Sequence, residues 1–445
     1  MNSEFHFMGG IHPQEGCGGK KDTCGKQVIV ADLPSRVAIP LSQHIGAPCK
    51  PLVAKGDHVR VGQMIGEPVG GMSAAVHASV SGTVIGIEPS LLANGKSTDC
   101  VIIDNDFADE WVPLTPVANP DEMTLDDLCG LIRSAGIVGM GGATFPTAVK
   151  LNISNNSTAV DYFILNGSEC EPYLTADHRL MVEHADEIID GAVLVAKVAK
   201  IPKVLIGIEG NKPDAIKAMS EAAKKYDNVS VITLDVRYPQ GGEKQLIYAL
   251  THRTVQMGAL PLSVGCVVCN VATCQAIYKA VYEGRPLIER IVTVGGNVQE
   301  PANYLVRIGA PLEWLIDSSG GLLPDTRILI CGGPMMGMAV SRQDIPITKG
   351  SSGIIALKKS DVMKEESACI RCGRCMKVCP MKLSPVTIDH CVRKGMYEEA
   401  KALNVMNCLE CGSCAYVCPA YRKLAQSMRV AKTIIKKQAS AKKGV

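Results

Sequence analysis

The stretch Cys369-Ile-Arg-Cys-Gly-Arg-Cys-Met-Lys-Val-Cys-Pro380 returns as Cys408-Leu-Glu-Cys-Gly-Ser-Cys-Ala-Tyr-Val-Cys-Pro419. Each copy has the spacing C-x2-C-x2-C-x3-C-P, in which three thiolates hold one [4Fe–4S] cube and the fourth holds the other. The crossing assigns Cys369, Cys372, Cys375 and Cys418 to a first cluster, and Cys408, Cys411, Cys414 and Cys379 to a second. A proline after each fourth cysteine ends the local turn and sends the chain back. Zinc is the competing reading, but tandem four-cysteine runs are far more specific than a pair of C-x2-C knuckles. Such cubes pass electrons singly, so the remaining residues must supply a donor, an acceptor or a device that splits electron pairs.

The bulk numbers bound that search. A chain of 445 residues is too long for one core and implies several units. Lys and Arg total 46 against 44 Asp and Glu, a balance that argues against nucleic-acid binding. Nineteen cysteines at metal-ligand spacing imply a reducing compartment. Met1 to Gly10 has neither a basic n-region nor an apolar core, and no apolar run approaches the ~18 residues of a membrane span. From Arg422 to Val445 eight Lys or Arg stand with no Asp or Glu. Leu424, Met428, Val430, Ile434 and Ile435 give this basic tail an apolar helical stripe, suited to anionic lipid, an acidic partner or a solvated helix end.

Between Lys26 and Ile103 short β segments alternate with Gly, Pro and Asp turns. "KGDHVRVGQ" and "VSGTV" resemble the barrel-sandwich hybrid of biotinyl and lipoyl carriers, but Val69-Gly-Gly-Met72 stands where a carrier lysine would be. The module therefore reads as structural or docking. From Thr124 a helical run leads through a Gly-rich loop to a buried strand at Asp161–Asn166. Helix 182–199, the strand "KVLIGIE" and helix 213–225 then follow in βαβα order, predicting a mostly parallel sheet with ligands at the strand ends. Ile291 to Val340 reads as short strands around a helix, a β-grasp unit.

Four motifs in the α/β region carry chemistry. In Gly139-Met-Gly-Gly-Ala-Thr-Phe-Pro-Thr-Ala-Val-Lys150, glycines at 139, 141 and 142 let backbone amides approach a phosphate or flavin edge, and Lys150 adds a cation. Asn166-Gly-Ser-Glu-Cys-Glu-Pro172 offers an amide and two carboxylates at a strand end. Glu169 and Glu171 suit metal ligation or acid–base work, but more readily hold the ribose or nicotinamide side of a dinucleotide. Gly241-Gly-Glu243 and Asn270-Val-Ala-Thr273 follow.

In that order, these motifs resemble the FMN and NADH site of the NADH-oxidising flavoprotein subunit of respiratory complex I. The resemblance implies that Gly139, Gly141, Gly142, Lys150, Asn166, Asn270 and Thr273 line FMN, that Phe145 borders the nicotinamide, and that Glu169, Glu171 and Glu243 meet NADH. Met140, Thr144 and Lys244 depart from the pattern, standing where Arg, Gly and Glu are found. The whole-chain order, from "FMGGIHPQEG" to the ferredoxin tail, is similar to the RnfC family of Rnf-complex proteins. That implies a multidomain α/β chain: an N-terminal segment (1–25), a barrel-sandwich-hybrid β module (26–118), a Rossmann-like FMN/NADH domain (119–286), a β-grasp module of SLBB type (287–350), a bacterial-type 2[4Fe–4S] ferredoxin domain (351–428) and a basic tail (429–445). It also implies a peripheral subunit on the cytoplasmic face of the cell membrane, without a transmembrane helix, in a complex that exchanges electrons between NAD(H) and ferredoxin, reached through a partner subunit, while moving Na+ or H+. Two alternatives stand beside it: a cobalamin-reductase-like flavin and iron–sulfur enzyme, and a relay or docking subunit whose flavin site has decayed.

Eleven cysteines lie outside the repeats. Cys266, Cys269 and Cys274 suggest a third metal site but sit in an apolar stretch, where buried thiols are ordinary packing. Cys17 and Cys24 flank a Gly/Lys-rich loop, and Cys391 has no ligand position to fill. His12, His44 and His77 are expected to bond backbone near turns, and "GGPMMGMAV" at Gly332–Val340 to pack a module junction.

Overall fold

The computed structural model describes residues 6–14, 19–153, 158–359 and 364–441; Cys17 lies outside them. Near the N-terminus two antiparallel sheets face each other. One is ordered Arg36–Pro40, Ser97–Asn105, Gly82–Leu91, His58–Val59; the other is Lys50–Pro51, Met64–Glu67, Val76–His77. Inward-facing Val37, Ile39, Val59, Ile65, Val84 and Ile103 fill the space between them, the period-2 alternation of strands half in a core. Val69 to Met72 falls in the connection between the strands Met64–Glu67 and Val76–His77. It is tied down, because the Arg133 guanidinium donates to the carbonyls of Gly70 and Pro68. The tip is anchored to the neighbouring domain and is no swinging arm.

The central domain is a four-stranded, all-parallel sheet ordered Val229–Leu234, Lys203–Glu209, Tyr162–Asn166, Cys266–Asn270. Its strands are apolar on both faces because helices cover both. The helix Leu125–Ser134 begins at a capping box, in which Thr124 accepts from the Asp127 amide and Asp127 from the Thr124 amide. The expected helix 182–199 is two helices, Ala176–Glu183 and Ala185–Val198, separated at His184.

A six-stranded mixed sheet forms the β-grasp unit, and it recruits distant strands. Ile29–Val30, expected within the first β module, pairs in parallel with Ala302–Arg307, and Gly353–Lys358, expected within the ferredoxin part, lies between Glu289–Gly296 and Thr326–Cys331. The N-terminal segment straps the units together: the Ile11 amide donates to the Tyr238 carbonyl at 2.8 Å and the Gly10 amide to the Val378 carbonyl at 2.9 Å.

The last unit is helical. The two cysteine runs share one backbone, with Arg371 and Glu410 at φ of 57° and 59°, and Gly373 and Gly412 at 73° and 78°. Each glycine caps a short helix, Arg374–Lys377 or Ser413–Tyr416. The helix Leu424–Ala441 runs through the expected boundary at 428, and Met428, Ala431 and Ile435 pack into the ferredoxin core with Ile388, Cys391 and Val405. The stripe expected to suit lipid or a partner is therefore largely internal, with Val430 left outside. Among the described residues no helix is long and apolar enough to cross a membrane.

Candidate functional site

The parallel sheet reverses direction at one place. From Tyr162–Asn166 the chain builds outward to Lys203–Glu209 and Val229–Leu234, then returns to lay Cys266–Asn270 on the other side. Such a switch point opens a crevice at the carboxyl ends of the two strands, where α/β sheets take ligands. Asn166 and Asn270, the last residues of those strands, are neighbours in register.

All four sequence motifs meet there. The Gly139 amide donates to the Phe145 carbonyl at 2.9 Å, closing the glycine loop. The Met140 amide donates to Thr273 Oγ1 at 3.0 Å, fixing the loop to the start of the helix Val271–Tyr282. A Cβ on Gly141 would stand 2.8 Å from Asn270 Nδ2, so this approach is open only to glycine, whereas Gly142 faces open space. Lys150 Nζ donates to Glu243 Oε1 at 3.0 Å and to the Val268 carbonyl at 2.9 Å. Burial lowers the Lys150 pKa, but the Glu243 carboxylate more than offsets this and holds the ammonium above its ordinary value. Asn166 Nδ2 donates to the Gly241 carbonyl at 2.8 Å.

Each departure from the flavoprotein pattern has a physical place. Thr144 adopts a φ of 52°, the left-handed region that favours the glycine found there in the pattern. Met140 is buried. Lys244 turns away and donates to the Gln256 carbonyl at 2.9 Å.

Two expectations are corrected. The Glu169 carboxylate accepts from the Asp177 and His178 amides at 2.8 and 3.0 Å, capping the helix Ala176–Glu183. The Glu171 carboxylate accepts from the Met335 and Met336 amides, both at 2.9 Å, joining the sheet domain to the "GGPMMG" turn. Neither is presented to a dinucleotide, because capping satisfies the same oxygens that would receive ribose hydroxyls. Burial pushes the Glu171 carboxyl up to about 7 despite the two amides. A carboxyl raised above its unfolded 4.5 binds more protons when folded, so its contribution is fully present below 4.5 and is lost as pH rises through about 7. The stability of the chain relative to Glu171→Gln is expected to fall by on the order of 3 kcal/mol across that window. Thermal unfolding at a series of pH values measures it, and a pH-independent difference would contradict it.

Several supporting residues carry no signal in the sequence. Asp177 Oδ2 accepts from Asn270 Nδ2 at 2.6 Å and sets the orientation of that amide; burial and the Glu169 charge raise its pKa. Lys212, 1 % exposed, donates to the Ser168 carbonyl at 2.7 Å and to Glu209 Oε2 at 3.1 Å. It thus pins the 166–172 loop to the sheet. Buried Thr147 Oγ1, Ser168 Oγ, Gln245 Oε1 and both amide atoms of Gln240 have no protein partner. They lie in or beside three of the four motifs, and unpaired buried polar atoms are what a polar ligand would satisfy. With the close approach at Gly141, the residues present fit a flavin phosphate and ring.

Cys379 crosses to the second repeat. With Cys408, Cys411 and Cys414 it lines a cavity of about 390 Å³, partly open to solvent. Among the described residues no three His, Cys, Asp or Glu side chains can share a single metal ion, Cys266, Cys269 and Cys274 included. The four cysteines instead surround a volume, as a cube of iron and sulfide requires. Burial raises the Cys414 thiol, and the charges of Cys408, Cys411 and Cys379 raise it further; iron would neutralise this concentration of sulfur. Across the unit Cys375 and Cys418 pack with Leu424, while Cys369 and Cys372 are exposed.

The two sites are joined through Tyr238, which is 1 % exposed. Its hydroxyl donates to the Cys411 carbonyl at 2.8 Å, and it lies in the segment that continues to Gly241 and Glu243. Ile11, Tyr238 and Cys411 form one apolar contact with Cys170 and Met335. The second cluster site therefore abuts the crevice domain.

A parallel sheet with a crevice at its switch point, joined to a dicluster unit, defines a modular flavin and iron–sulfur protein, and four family models match in that order. They are the RnfC barrel sandwich hybrid domain over residues 5–108, the Nuo51 FMN-binding domain over 132–279, the SLBB domain over 291–339 and the 4Fe-4S dicluster domain over 361–419. The chain is 49 % identical over 96 % of its length, and 93 % of the relative's, to the RnfC component of the proton-translocating ferredoxin:NAD(+) oxidoreductase complex of Clostridium ljungdahlii. It is 45 % identical, over 96 % of each chain, to the counterpart in the Na(+)-translocating complex of Acetobacterium woodii. It belongs to the RnfC family of the ion-translocating oxidoreductase (Rnf) complexes. An NAD+-reducing [NiFe]-hydrogenase structure in the H2-reduced state shares the fold, with a TM-score of 0.51 and 17 % identity over 72 % of this chain and 64 % of the other.

Proposed function

We propose that this chain is the NADH-side electron-transfer subunit of an Rnf-type complex, on the cytoplasmic face of the cell membrane, exchanging electrons between NAD(H) and the other subunits of a ferredoxin-linked ion pump. The convergence of Gly141, Lys150, Asn166 and Asn270 at the switch point carries this reading. FMN, when bound, supplies the conversion between hydride transfer and single electrons that clusters require.

The chain's own residues then have distinct tasks. Gly139, Gly141 and Gly142 bring backbone amides to the ligand, Lys150 contributes its charge, and Asn166 and Asn270 present amide groups from the strand ends. Thr273 acts through the loop it anchors. Phe145 and Glu243 stand at the side left for the nicotinamide, while Glu169 and Glu171 hold the surrounding backbone. Cys379, Cys408, Cys411 and Cys414 would hold the cluster nearer the crevice; Cys369, Cys372, Cys375 and Cys418 would hold the outer one.

The test is anaerobic reconstitution with iron, sulfide and FMN, followed by NADH titration with flavin absorbance and cluster EPR. Bleaching of the flavin followed by cluster signals is the expected course. Reduction of neither would overturn the nicotinamide assignment. Lys150→Ala is expected to weaken FMN retention about 10- to 100-fold, equivalent to roughly 1.4–2.8 kcal/mol, read by equilibrium dialysis.

A further inference from the structure

The two cysteine runs have matching backbones but opposite surroundings. In the second run Glu410 is paired with Arg429 and Lys432, Ser413 is buried, and Cys411 meets Tyr238. At the positions corresponding to Glu410, Ser413 and Tyr416, the first run carries Arg371, Arg374 and Lys377. All three are exposed, and none has a carboxylate partner among the described residues, whereas nearby Arg393 and Arg422 are both engaged with Glu366 and Asp389. Between these cations Ile370 is 69 % and Met376 48 % exposed, beside the exposed Cys369 and Cys372.

We infer that this face of the first repeat is the docking surface for an acidic electron-carrier protein or domain. The inference rests on the cluster reading above. Exposed apolar side chains supply a contact that excludes water, and unpaired cations around them select and orient a negatively charged partner. The cations and apolar groups surround two cluster cysteines, so a docked protein brings its own redox centre close to the outer cluster. An anionic lipid surface would gain nothing from that position.

The test uses the full chain with both clusters assembled, confirmed by iron content and EPR. The probe is a free, strongly acidic 2[4Fe–4S] ferredoxin, and binding is measured by calorimetry. Binding is expected at low ionic strength and is expected to weaken at least tenfold between about 20 and about 200 mM NaCl, as screening shortens the reach of the charges. The triple reversal Arg371→Glu, Arg374→Glu, Lys377→Glu should weaken binding at low salt at least tenfold. An equal reversal elsewhere, Lys55→Glu, Lys96→Glu, Lys203→Glu, should leave it within about twofold of wild type. Ile370→Ala with Met376→Ala, which alters no charge, should weaken binding about three- to tenfold and provides a second arm if the triple variant does not fold. No binding by the wild type, salt-independent binding, equal losses from both reversals, or displacement of the ferredoxin by phosphatidylserine vesicles would each overturn the inference. Wild-type chain that takes up no iron would instead refute the underlying cluster reading, a failure separable from docking by the iron assay.

Discussion

Cys379→Ala is expected to lower the iron content from about eight to about four atoms per chain and to remove the cluster of the opposite repeat. The iron that remains should be the exposed set, held by Cys369, Cys372, Cys375 and Cys418, and a chelator should strip it quickly. Cys372→Ala should lose as much iron but retain the set around the Cys379 cavity, beside Tyr238 and Met428, where a chelator acts slowly. The functional consequences also diverge. With Cys379→Ala, NADH should still bleach the flavin while electron delivery to the outer site falls by orders of magnitude. With Cys372→Ala the inner cluster should still be reduced. Equal chelation rates in the two variants would refute the assignment of inner and outer sites.

The second large effect concerns stability. Lys212→Ala removes the cation that holds Glu209, whose carboxylate is 2 % exposed, and leaves a buried charge without its partner, at a cost of roughly 3–5 kcal/mol. Burial already raises the Glu209 carboxyl, opposed by the Lys212 charge, so the variant should regain part of the loss as pH falls and Glu209 is protonated. Lys212→Met combined with Glu209→Gln should recover more, because neither buried charge remains. Chemical denaturation at two pH values checks both claims. The same substitution releases the Ser168 carbonyl, so FMN retention should fall with it. A loss below about 1 kcal/mol would show that the pair is not what holds the loop.

These two effects sit at opposite ends of what a sequence displays. The cysteine runs are legible because cluster ligation is a local spacing rule, and the crossing of Cys379 follows from it. The strand-end motifs are legible because parallel strands display their ligands at one edge. Glu169 and Glu171 mislead because their partners, the amides at 177–178 and 335–336, are chosen by tertiary folding. The same limit hides Ile29–Val30 and Gly353–Lys358, which pair with strands remote in sequence. Asp177 and Lys212 sit in ordinary helix-start sequence, and only burial beside Asn270 and Ser168 gives them a role.

The bond between Tyr238 and the Cys411 carbonyl also bears on the mechanics of the assembled machine. The inner junction is part of the folded interior, so its spacing is set once, when the chain folds. It behaves as a solid contact, indifferent to viscosity, crowding or the abundance of a partner. The outer face, by contrast, must wait for an encounter. Traffic through such a chain is therefore throttled from outside, at the one contact that a cell can vary by changing how much partner it makes.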